Sequence, residues 1–97
     1  MYNDVIKLKK KLVQLDGTEY TSERQVFCRI SSIGTGEFYQ AYSVGLKPEI
    51  KFILPDYSDY NDEDRIEYNS AEYQVLRTYV NKNELEITCQ AVIGGGY

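Results

Sequence analysis

The chain has 97 residues, a formal net charge of −4 and a sequence pI of about 4.8, and its length is that of one domain. The acidic balance argues against a general nucleic-acid binder, which carries the opposite sign, and no apolar run is long enough to span a membrane. There is no histidine, which removes the commonest general base and transition-metal ligand, so neither an enzyme nor a cofactor is expected.

Ten tyrosines stand against three phenylalanines and no tryptophan. Tyrosine suits pleated, half-buried surfaces, so β structure comes first and a sticky surface second. Met1-Tyr2-Asn3-Asp4 is not the basic start of a signal peptide, and a cytoplasmic protein is expected.

Residues 5–14 alternate as a strand, with Ile6, Leu8 and Leu12 on one face and Lys7, Lys9 and Lys11 on the other. Asp16-Gly17 is a turn. Residues 23–33 form the second strand, with Arg24, Val26, Cys28 and Ile30 in one phase. Phe27 and Ile33 lie on the opposite face, so this strand reads as covered on both sides. Gly34-Thr35-Gly36 breaks it, and Thr35 is placed to cap a short helix over 36–44. In that helix Phe38, Ala41 and Tyr42 share the face expected to dock. Gly45 suits the left-handed residue that ends a helix, and Pro48 prevents its resumption.

Residues 49–55 are the third strand, with Ile50, Phe52 and Leu54 in phase. An acidic loop follows over 56–64. Residues 65–69 make a short strand, 69–72 a tight turn, and 73–80 the fifth strand. There Tyr73, Val75, Arg77 and Tyr79 alternate against Gln74, Leu76, Thr78 and Val80. A turn at 81–84 leads into the last strand, 85–92, with Leu85, Ile87, Cys89 and Ala91 in phase. The pattern predicts an all-β fold: a small antiparallel β-barrel of about six strands, with one short helix or mobile loop between the second and third. One barrel domain over 1–93 and a flexible Gly-rich tail over 94–97 account for the whole chain.

Few side chains offer chemistry. Cys28 and Cys89 fall in apolar phase and read as buried, reduced thiols; a disulfide requires their strands to be neighbours. Ser31-Ser32 has no histidine to activate it, and Gly34-Thr35-Gly36 lacks the rest of a phosphate-binding fingerprint. Asp59, Asn61 and Glu63 match the first, third and fifth places of a calcium loop, but Asp64 stands at the glycine position and Ser70 at the bidentate one. A solvated loop is the better reading. Lys7, Lys9, Lys10 and Lys11 read as an edge strand protected by charge, ahead of a phosphate contact.

Four runs in order then carry a resemblance. Val26-Phe27-Cys28-Arg29-Ile30-Ser31-Ser32-Ile33 leads into Glu37-Phe38-Tyr39-Gln40-Ala41. Gly45-Leu46-Lys47-Pro48-Glu49 leads into a strand. Arg65-Ile66-Glu67-Tyr68-Asn69 precedes Tyr73-Gln74-Val75-Leu76-Arg77-Thr78-Tyr79, and Glu84-Leu85-Glu86-Ile87-Thr88-Cys89 closes the chain. The series resembles the bacteriophage head closure or head–tail adaptor (head–tail joining, stopper-like) family over nearly the whole chain. The turn Asn69-Ser70-Ala71-Glu72 departs from that family's glycine and basic residue.

The resemblance implies a cofactor-free structural protein of the virion neck, made in the bacterial host cytoplasm from a phage or prophage gene. It implies a ring, dodecameric in the virion and monomeric when isolated, seated on portal and adaptor ring proteins and meeting a tail-completion protein. Membrane and sequence-specific nucleic acid are not implied as partners. Phe38, Tyr39, Tyr42, Leu46 and Lys47 become candidate interface residues, with Gly34, Gly36 and Gly45 as candidate hinges. Phe38 and Tyr42 could instead plug an open end of the barrel. A tail-completion or other neck protein is the alternative within this class. A small-barrel nucleic-acid or peptide-binding module is the alternative outside it, resting on Arg77 among Tyr73, Val75 and Tyr79 unless Arg77 pairs with the acidic loop.

Overall fold

Period-two patterning gives each strand one face that packs and one that meets water, and closing the sheet turns the packing faces inward. The computed structural model describes residues 1–92. It holds β1 (Asp4–Val13), β2 (Glu19–Ser31), β3 (Ile50–Leu54), β4 (Arg65–Tyr68), β5 (Ala71–Asn81) and β6 (Glu84–Ala91). The strands run antiparallel in the order β1-β2-β3-β6-β5-β4, and β4 pairs back onto β1 to close a barrel. One helix, α1 (Thr35–Tyr42), lies between β2 and β3, and a 3-10 turn, Tyr57–Asp59, lies between β3 and β4. The expected six-stranded barrel with its inserted helix is present. The tail expected at 94–97 lies outside the described residues.

The interior is filled by Ile6 and Leu8 of β1, Cys28 of β2, Phe52 and Leu54 of β3, Ile66 of β4, and Leu85, Ile87 and Cys89 of β6. Phe52 takes the rings of Tyr68 and Tyr73 edge-on, each with centroids 5.6 Å away. Two tyrosines thus finish the core with their ring edges, the geometry that aromatic quadrupoles favour.

Several expectations are corrected. The lysine-bearing strand is no edge: β1 pairs with β2 along its whole length and with β4 at Lys7, Leu8 and Lys9. The Lys9 ammonium is mostly buried and takes Glu67 at 2.7 Å and Glu72 at 2.6 Å, with Glu23 at 3.6 Å. It ties β1 to β4 and β5 and is not presented to phosphates. Strand β2 starts at Glu19, four residues earlier than expected, because Tyr20 pairs with Leu12 and extends the hairpin past the barrel. Its outer face is not covered, since Phe27 is 64% exposed. In β5 a bulge between Val75 and Arg77 shifts the register. Tyr73 and Val75 pack on the core, whereas Arg77 pairs with outward-facing Thr88. The single face expected for Tyr73, Val75, Arg77 and Tyr79 is therefore broken in two.

The acidic loop is also more tied down than a solvated loop. Glu63 is buried, and its carboxylate accepts from Arg24 at 2.8 Å and from the Asn61 backbone N–H at 2.7 Å. That carboxylate is committed to an ion pair, and among the described residues no acidic or thiol cluster is grouped to hold a metal. The two cysteines are buried and free, with β3 lying between their strands. Burial, with the Asp4 charge behind it, pushes the Cys28 thiol up to about 12, and burial alone pushes Cys89 up to about 12.

Two measurements check this description. A thiol reagent at pH 8 should leave native Cys28 and Cys89 unmodified and react with both in denaturant, because only the thiolate attacks. The β4–β5 turn holds Asn69 at φ 50° and Ser70 at φ 67°, a left-handed pair that favours glycine. Ser70→Gly should therefore raise stability by about 1 kcal/mol, seen as a Tm increase of about 4–8 °C. An unchanged or lower Tm would place no strain in this turn.

Candidate interaction surface on the barrel wall

Helix α1 begins at Thr35, one residue before the expected start, and Gly34 takes the N-cap place with no side-chain cap bond. Thr35 is thus the first helical residue and not the cap. The C-terminal end is as the glycine suggested. Gly45 sits at φ 87°, the Gly45 N–H donates to the Tyr42 carbonyl at 3.0 Å, and the Leu46 N–H donates to Ala41 at 3.0 Å. This Schellman pair satisfies carbonyls the helix leaves open. Gly36 lies inside the helix, and an added Cβ at Gly34 or Gly36 would meet nothing. Of the three candidate hinges, Gly45 alone holds a backbone conformation that demands glycine.

The docking face differs from the expected one. No residue of α1 is buried. Phe38 is 37% exposed, Tyr39 67% and Tyr42 55%, so neither Phe38 nor Tyr42 plugs the barrel. Their rings stack on each other, with centroids 5.8 Å apart and planes 24° apart, and Tyr39 meets Phe38 edge-on at 5.9 Å. The contact with the barrel is made by Glu37. Its Oε1 lies 2.9 Å from Lys51 Nζ, its Oε2 lies 2.9 Å from Arg77 Nη2, and Thr88 Oγ1 donates to Oε2 at 3.2 Å.

The barrel prepares that seat through its register. Lys51 of β3 pairs with Thr88 of β6, and Thr88 pairs with Arg77 of β5. Three adjacent strands therefore present a lysine, a hydroxyl and a guanidinium in one lateral row on the outer wall. The bulge at Leu76 brings Arg77 opposite Thr88; without it the apolar Leu76 would stand there. Arg77 thus pairs with the helix, not with the acidic loop. Lys51 also reaches Glu86 at 3.3 Å.

Partial burial alone would raise the Glu37 carboxyl, but it titrates below its ordinary value. The hydrogen bond and charge of Lys51, the charge of Arg77 and the Thr88 hydrogen bond together outweigh burial. The same bond, against partial burial, raises Lys51. Downstream, the Lys47 N–H donates to Gln90 Oε1 at 3.0 Å, and Pro48 is buried, which fixes the return into β3. Between helix and wall remains an open-sided cavity of about 230 Å³, with Ala41, Leu46 and Pro48 on one side and Leu76 and Arg77 on the other.

From Gly34 to Leu46 the only charged residue is Glu37, which is turned inward and neutralised. The segment therefore offers a charge-free aromatic surface in a chain of which 27% is charged. Depletion of charge together with exposed Tyr and Phe is the composition of an interface core. Phe38, Tyr39 and Tyr42 lie together on it. Leu46 is half-exposed beside the cavity, and Lys47 lies beyond it on the return to β3. Two further exposed apolar groups were not singled out from sequence: Val5 with Phe27, which pair across β1 and β2, and Val13, Leu15 and Tyr20 at the hairpin end.

No family model matches the chain, and no curated protein matches it.

Phe38→Ala combined with Tyr42→Ala should leave the barrel folded, with a Tm within a few degrees of the parent, because both rings stack outside the core. Global unfolding of this double variant, followed by circular dichroism, would return Phe38 and Tyr42 to the role of a plug.

Proposed function

We propose that the chain is a structural protein of a phage virion neck. It closes the head after DNA packaging and joins head to tail as a ring on the portal and adaptor. The observation that carries the reading is the charge-free Phe38–Tyr39–Tyr42 surface on a segment seated outside a closed barrel. An amphipathic helix in a self-sufficient domain turns its apolar stripe to the core. Here the two rings of that stripe, Phe38 and Tyr42, are left exposed, as expected of a surface completed by another subunit. The order of motifs described from the sequence, which resembles head closure and head–tail adaptor proteins, supports the same reading. In the ring, the segment over 34–48 meets a neighbouring subunit or narrows the channel, and the barrel supplies a rigid frame. Repeated weak contacts reinforce one another on a preformed platform, so the ring forms on the portal complex more readily than in free solution.

A module that stacks nucleic-acid bases is less well supported. Such a site needs exposed aromatics beside cations on one sheet face. The β5 bulge separates Arg77 and Tyr79 from Tyr73, whose ring packs on Phe52.

The test uses the purified chain and portal–adaptor rings of the phage that encodes it. The parent chain should bind, and the folded Phe38→Ala, Tyr42→Ala variant should bind at least tenfold more weakly, since buried aromatics dominate such interfaces. Failure of the parent to bind would reject the neck assignment. Equal binding by the variant would move the interface elsewhere.

A further inference from the structure

We propose that Glu37 is an electrostatic latch: one carboxylate, seated in the Lys51–Thr88–Arg77 row, holds α1 on the barrel wall and so sets where the aromatic surface stands. The latch is a property of the isolated chain. Its use in assembly rests on the neck-protein reading.

Three observations carry it. First, no residue of α1 is fully buried and its large apolar side chains are exposed, so burial of apolar surface contributes little to its docking. Eight residues are too few for a helix to persist by itself in water. Second, the space under the helix is not filled: a cavity of about 230 Å³ lies where an apolar docking face would pack. Third, Glu37 accepts from three donors on three different strands, all within 3.2 Å. Charge-assisted bonds are the strong ones, and here they join an otherwise loosely packed element to a rigid wall. The other ties of this segment to the barrel, Lys47 to Gln90, the Glu49 N–H to the Cys89 carbonyl and the burial of Pro48, lie at the C-terminal return and not on the helix itself.

The groups facing Glu37 are the Lys51 ammonium from β3, the Arg77 guanidinium from β5 and the Thr88 hydroxyl from β6. Glu86 of β6 competes for Lys51. Among them Glu37 is the group whose loss of charge opens the latch. Because the Glu37 carboxyl is lowered in the folded chain, the latch is complete above the ordinary carboxylate value of 4.5. It is lost as pH falls through the lowered folded value.

Hydrogen exchange on the isolated full chain tests this. The reporters are the hydrogen-bonded amides of Phe38, Gly45 and Leu46 against the amides of the barrel strand partners Phe52 and Ile87. In Glu37→Gln at low salt, the α1 amides should exchange about tenfold faster or more, with the barrel amides unchanged. In the parent, added salt and acid below the ordinary carboxylate range should each speed the α1 amides after correction for intrinsic rates. The variant should respond to neither. Lys51→Met should give an intermediate acceleration, since Arg77 and Thr88 remain. Unchanged α1 exchange in Glu37→Gln would overturn the latch. So would equal acceleration of α1 and barrel, which would make Glu37 a support of the whole fold. Neither result depends on portal binding, so loss of the neck assignment leaves the latch standing, and the reverse.

Discussion

The carboxylate of Glu37 sits where three strands agree on a row. Lys51, Thr88 and Arg77 come from β3, β6 and β5, and no two of them are close in sequence. Their alignment exists only because the barrel's register is fixed from inside, by Phe52 against Ile87 and by the apolar positions that flank them. A one-residue slip of β3 on β6 would turn Lys51 inward and Phe52 out. The core therefore determines the outer row, and the outer row determines where α1 lies. The bulge at Leu76 is the adjustment that completes it, exchanging an apolar neighbour of Thr88 for a guanidinium.

The barrel's exterior repeats the device. Lys9 joins Glu67 and Glu72 across the β1–β4–β5 closure. Arg29 holds Glu84 at 3.2 Å, and the Tyr2 hydroxyl donates to the same carboxylate, which draws the N-terminal residues across β2 and β6. Arg24 holds buried Glu63 and the Asp59 carbonyl, folding the acidic loop against the hairpin. In a chain of this size the interior is narrow, and no strand places more than three buried side chains inside it. Long charged side chains on the outer wall then specify which strand lies beside which. Exposed pairs of this kind contribute little each, about 0–1 kcal/mol. The shielded Glu63, Lys9 and Glu37 clusters are the ones with weight.

The sequence was most legible where period two ran uninterrupted. Ile6 and Leu8, Phe52 and Leu54, and Ile87 and Cys89 identify the core faces from alternation alone, and the turns at Asp16-Gly17 and Asn69-Ser70 mark hairpins by residue type. Alternation failed where one residue was inserted: past Leu76 the phase of β5 inverts, and nothing in Val75-Leu76-Arg77 signals it. Glu63 in an acidic run reads as solvated because its partner, Arg24, lies 39 residues away. The helix was misjudged for a related reason. Spacing at i, i+3, i+4 shows which side chains share a face, but not whether that face meets the same chain or another. Glu37 carries no apolar signal, so nothing in the sequence singles out the residue that docks the helix.

That inversion bears on what the segment is for. Had Phe38 and Tyr42 been the docking face, burying two aromatic rings would have fixed α1 firmly, and its outer surface would have been Thr35, Gly36, Glu37, Tyr39 and Gln40. Instead the acid faces in and the rings face out, so the helix is held by a contact that competes with water and salt while its apolar area stays uncovered. An arrangement selected for the isolated chain's stability would favour the opposite orientation. The observed one keeps the aromatic surface assembled, with Phe38 and Tyr42 already stacked, which lowers the ordering cost of an encounter. It also leaves that surface attached through a contact that can be broken without disturbing the barrel's core, because Lys51, Thr88 and Arg77 lie on the outer wall.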